Sequence, residues 1–269
     1  MPSPTPEPDA QNPISSRKDQ IMIASQSLDA TTAAPQPTAR RARSSLARAT
    51  AGLAIAQTAL FAIPMIVLGR AIGWPASLRL PAEEALPLIA AQADAVLLGY
   101  GAYLLVSLAL IPLAFALRAW LRTQGLDGWL LDAVAFTGAA AGLFKTLGIV
   151  RWLSVMPMLA GEFERAADPV RREAVALAYR TTNAYAGAVG ELLGVQILSG
   201  LWLVAVAILL QRTGRRWLGG FGLLCGALFL ATALRLIWPA AGMLQSAAVP
   251  LALVWFLSLA ASLWRDRRA

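Results

Sequence analysis

The chain has 269 residues, 58% of them apolar and only 14% charged, with a mean hydropathy of +0.60; a soluble domain carries about 25% charged residues. With no histidine and one cysteine, Cys225, a disulfide framework, a Cys-rich zinc site, histidine-ligated haem and a Ser-His-Asp triad are excluded. The net charge of +8 does not mark a nucleic-acid surface, because the arginines punctuate apolar runs of membrane-spanning length.

Residues 1–39 hold seven of the sixteen prolines with Ser, Thr, Gln and Ala and no sustained apolar period, so a disordered cytoplasmic tail is expected. Met22 offers an internal start that would make part of it an artefact of start choice. The pair Arg40-Arg41 raises an export signal, but the apolar run behind it exceeds the 7–15 residues of a signal core and five more runs follow. Residues 40–269 then form one membrane domain.

A helix needs about 20 apolar residues to cross a hydrocarbon core of about 30 Å. Six stretches qualify: 49–68, 95–117, 129–150, 184–210, 217–238 and 247–264. The fold class is therefore all-α, a bundle of six transmembrane helices. Pro64 and Pro112 fall inside spans one and two, where neighbouring helices can satisfy the freed carbonyls. Trp120, Trp129, Trp217 and Trp264 fall at one set of ends and Trp74, Trp152 and Trp238 at the other, the pattern of aromatic belts.

Arg40, Arg41, Arg43, Arg48, Arg118, Arg122, Arg212, Arg215, Arg216, Arg265, Arg267 and Arg268 lie on one side of this arrangement, which predicts both termini inside. The opposite loops carry eight arginines against seven acids, near +1. There, residues 81–93 suit a short interfacial helix. Asp168-Pro169 reads as an N-cap followed by proline at the first helical position, and no breaker precedes span four, so a continuous helix from about residue 169 to about 210 is expected. Spans two and three resemble spans four and five only faintly, as apolar hairpins do by composition.

A charge at the centre of a span costs roughly 2.5–3.5 kcal/mol, so it marks a candidate site. Lys145, Glu191 and Arg235 qualify, with Arg151 at the boundary. At 1.5 Å per residue from Trp152 and Tyr185, Lys145 and Glu191 sit about 10 Å below the outer belt, and Arg235 about 4–5 Å below it. At about 100° per residue, Asn183, Gly187, Gly190, Glu191 and Gly194 share one face of span four, and Gly138, Gly142 and Lys145 share one face of span three. Each face has a GxxxG pair, which permits close backbone approach, so spans three and four are expected to face each other. Three readings stay open: a structural pair of Glu191 with Lys145 or Arg235, a positive site for an anionic or lipid-headgroup ligand, and a Glu191 that changes protonation as Lys145 moves. Asp132 reads as a solvated boundary residue and Cys225 as a small core residue.

Arg151-Trp152, Met156-Pro157, Asn183-Ala184-Tyr185-Ala186-Gly187 and Gly190-Glu191-Leu192-Leu193-Gly194 resemble the bacterial multi-pass proteins of the domain-of-unknown-function 4386 family, over roughly residues 50–265. The resemblance implies a bacterial inner-membrane protein and brings no mechanism. The expected function is binding or transport of a small anionic or amphipathic ligand; the alternative is a regulatory or scaffolding component acting on a membrane protein partner. Within the spans no acidic pair has suitable spacing for an all-carboxylate metal site, so neither an enzyme nor a cofactor or metal is expected; the lipid bilayer is an expected partner.

Overall fold

The computed structural model describes residues 37–265; the expected tail at 1–39 lies almost wholly outside them. Only helices and connecting turns occur among the described residues, since in lipid every backbone amide of a single spanning segment must be satisfied within that segment. The long helices are α1 (Pro37–Ile72), α3 (Ala93–Arg122), α4 (Trp129–Leu153), a rod made of α6 (Pro169–Gly187), a π-helical segment (Ala188–Leu198) and α7 (Ser199–Arg212), then α8 (Arg216–Ala233) and α9 (Gln245–Arg265). Two shorter helices, α2 (Ala82–Ala91) and α5 (Val155–Arg165), complete the fold. Six of the helical stretches are long and apolar enough to cross a membrane, matching the six runs expected. Leu97, Leu105, Phe115, Phe136 and Leu147 are exposed on their outer faces, as lipid-facing side chains are.

Short turns join α3 to α4 and α7 to α8, which makes each pair antiparallel neighbours. The second turn closes on Gly214 with φ +84°, a conformation that costs glycine little. Arg118 and Asp132 pair at 2.5 Å beside the first turn, with the Asp132 side chain 68% exposed. One core cluster of the bundle includes Trp202, Trp255, Phe256 and the fully buried Cys225 and reaches Trp120, Leu210 and Leu263 at the helix ends.

The rod follows the local signals closely. Asp168 accepts hydrogen bonds from the backbone N–H of Val170 (3.3 Å) and Arg171 (3.2 Å), and Pro169 opens the helix. It runs without a break to Arg212, but residues 188–198 are wound more widely, with i→i+5 bonding. The Ser199 amide and hydroxyl both return to the Gly194 carbonyl, the hydroxyl at 2.8 Å. Phase counted at α-helical pitch therefore drifts across the segment that carries Glu191.

A second apolar cluster lies at the loop-rich end. The expected helix at 81–93 is α2, which buries Ala82, Ala85, Leu86 and Ile89. Its counterpart α5 buries Met156, Leu159, Ala160 and Phe163, spaced i, i+3, i+4, i+7 as an amphipathic helix requires. These faces join Leu68, Tyr100, Trp152 and Tyr179 in one cluster. The belt reading needs correction here. Trp129, Trp217 and Trp238 are well exposed, but Trp120 and Trp152 are buried. Trp120 lies under the Arg215 guanidinium, 4.8 Å from its ring centre, and Trp152 stacks on Tyr100 at 4.6 Å. Packing across the bundle thus claims two rings whose position along the chain alone would assign to the interface.

Candidate functional site

The site forms where α4 meets the π-helical segment. A Cβ placed on Gly190 would sit 2.8 Å from the Gly148 Cα, and one on Gly194 would sit 2.7 Å from the Lys145 backbone nitrogen. Only glycine permits this approach, so spans three and four do face each other. Gly142 of α4 is covered by the Ser107 carbonyl and Ile111 of α3, and Gly138 by Ala114 and the Trp202 indole nitrogen. Gly187 faces the Arg151 guanidinium, 3.6 Å from where its Cβ would be. All five glycines expected to pack helices are used within the chain, and Gly148 is a sixth.

This contact carries the Glu191 carboxylate between two guanidiniums. Arg235, on the 3-10 turn Leu234–Leu236 after α8, donates from Nη1 to Glu191 Oε2 at 3.3 Å. Arg151 Nη2 lies 4.0 Å from Glu191 Oε1. Of the two pairings left open by the sequence, Arg235–Glu191 is the one formed. Lys145 lies apart, with no carboxylate within salt-bridge distance among the described residues, and borders a partly open cavity.

Arg151 is the most enclosed of these charges, at 7% exposure. Its Nη1 donates to the Gly148 carbonyl at 2.6 Å, and its Nε has no acceptor. Tyr100, Tyr103 and Tyr179 lie within electrostatic range of the same guanidinium, and the buried hydroxyls of Tyr100 and Tyr179 also lack hydrogen-bond partners. Buried polar atoms in native proteins are nearly always hydrogen-bonded, so a cluster with three orphans is unusual. Asn183, which phase places beside Glu191, instead donates from Nδ2 to the Leu78 carbonyl at 3.2 Å. It thereby fastens the 3-10 turn Ala76–Arg79 to α6. Arg79 of that turn and Arg235 both come within 4 Å of where a Gly242 Cβ would be, and Arg79 has no acidic partner among the described residues.

Sequence reasoning left out Arg79 and the three tyrosines. Arg79 counts there as a loop flank, and only the fold returns that loop to Arg235. Tyr100 and Tyr103 stand three apart in span two, which puts them on one face, a usable signal.

Six apolar helices with a polar cluster among them define a multi-pass integral membrane protein. The chain belongs to the family described as Domain of unknown function (DUF4386), which matches residues 50–264. Comparison with curated proteins and with solved structures gives no significant match.

Proposed function

We propose that the protein is a non-catalytic ligand-binding or carrier component of a bacterial inner membrane, taking a small anion, free or as the headgroup of an amphipathic molecule, at the Arg151–Glu191–Arg235 cluster in the outer half of the bilayer. The observation that carries this reading is the imbalance of the cluster. Arg151 and Arg235 flank one carboxylate, Arg79 Nη2 and the Arg235 side chain both border Gly242, and the buried Arg151 Nε and two tyrosine hydroxyls have no partner. An oxyanion supplies both the charge and the acceptors that such a site lacks, and guanidinium suits planar, bidentate recognition of carboxylate or phosphate.

A scaffolding role through the glycine faces is less well supported, because those faces are filled by Gly148, Lys145, Ser107, Ile111, Ala114 and Trp202 of the same chain. A protein partner would have to use the lipid-facing surface or the segment before residue 37.

Thermal melting of the purified protein with inorganic phosphate or acetate, each against chloride at equal ionic strength, tests the reading. At least one oxyanion should raise the apparent Tm of the wild type, Arg151→Gln should lose that response, and Glu191→Gln should keep or strengthen it by removing a competing carboxylate. If neither anion stabilises the wild type, or if Arg151→Gln responds as the wild type does, the cluster is structural.

A further inference from the structure

Between the helices lies a cavity of about 70 Å³ that opens to its surroundings. Its wall is apolar and aromatic, with Phe61, Trp202, Phe229 and Phe256. Lys145 of α4 and Gln57 of α1 stand in that wall. Lys145 has no hydrogen bond or ion pair among the described residues, and Glu191, one turn of chain away from its Gly194 contact, is already held between Arg151 and Arg235. Gln57 is 3% exposed and its Oε1 has no hydrogen-bond partner. Tyr103 also stands in the lining.

Lys145 is half-buried, and an ammonium set among apolar walls is costly unless an anion accompanies it; no carboxylate among the described residues lies within salt-bridge distance of it. One uncompensated positive charge calls for one negative charge on the occupant. Flanking hydrogen-bonding groups suit a carboxylate and its protonated form alike, and the aromatic walls suit an alkyl chain. We propose that this cavity binds a free fatty acid, with its carboxylate on Lys145 Nζ and its chain along Phe229, Leu253 and Phe256. The proposal is independent of the outer arginine cluster.

Laurate and dodecanol share one chain and differ in the head, so their binding separates charge recognition from simple partition. With the full-length protein in nanodiscs of neutral phospholipid, saturable laurate binding near one per chain is expected, tighter than dodecanol by about ten- to a hundredfold, as for a charge-assisted hydrogen bond. Lys145→Met should erase that preference while dodecanol still binds, and Leu253→Trp should weaken both by filling the cavity. If Lys145→Met does not fold, quenching of Trp202 by 12-bromododecanoate in the wild type, read against Trp202→Phe, locates the chain without it. Equal binding of laurate and dodecanol by the wild type overturns the proposal. So does a preference that survives Lys145→Met, or one lost in Arg151→Gln alone, which would move the anion to the outer cluster.

Discussion

Replacing Gly190 by alanine perturbs a contact in which two helix backbones meet directly. The new Cβ would stand 2.8 Å from the Gly148 Cα and 3.6 Å from the Gly148 carbonyl carbon. Ordinary van der Waals contact begins near 3.4 Å, so the two backbones must part by about 0.6 Å. A gap of 0.5–1 Å forfeits about a quarter to a half of the dispersion energy at each pair it opens, and the Gly194–Lys145 contact one turn away opens with it. Overpacking of this kind costs about 1–3 kcal/mol. Gly52 is the control, since a Cβ there meets nothing within 4 Å, and alanine for glycine inside a helix gains up to about 1 kcal/mol. Cys225 provides the readout: it is fully buried and is the chain's one cysteine, so a thiol-reactive dye reports its exposure during a thermal ramp. Gly190→Ala should lower the apparent Tm by several degrees, and Gly52→Ala should leave it unchanged or raise it. Equal melting of the two variants would show that the close approach of α4 to the π-helical segment is wrong.

Glu191→Gln removes the carboxylate shared by Arg151 and Arg235; because the groups are only partly enclosed, a loss of about 1–3 kcal/mol is expected, between that of a surface and a buried pair, measured by the same dye melt. Asp168→Ala should cost about 1 kcal/mol through its cap, seen as faster hydrogen exchange confined to the first turn of α6, whereas exchange spread along the whole helix would contradict the capping role. A periplasm-dependent reporter enzyme fused after residue 160 should be active and one fused at the C-terminus silent. The reverse pattern would invert the orientation drawn from the arginine flanks and move the arginine cluster to the inner half.

The spans were legible because crossing hydrocarbon imposes a length and a composition that no other fold demands, and the rod was legible because Asp168 and Pro169 signal its start while nothing signals a stop. Two features stayed hidden for physical reasons. Residues 188–198 have the composition of ordinary apolar helix, and the wider winding arises where glycines let α4 come against the backbone. Depth along the chain matches Glu191 with Lys145 rather than with the shallower Arg235, so the sequence could not give the partner; the choice falls to the turn that ends α8 and carries Arg235 to Glu191. The helix at 155–165 carried its own amphipathic signal in Met156, Leu159, Ala160 and Phe163. Trp120 and Trp152 show the limit of belt arguments, since position along a helix says nothing about which way a ring turns.

The helical rod has a mechanical consequence. Its 44 residues from Pro169 to Arg212 span about 66 Å at α-helical rise, twice the hydrocarbon thickness, so one unbroken element links the cap of short helices to the far end of the bundle. Along such a shaft, twist concentrates where the winding departs from regular α-helix. Here that place is residues 188–198, and a turn of the cap relative to the membrane would be felt first as a change in where Glu191 points.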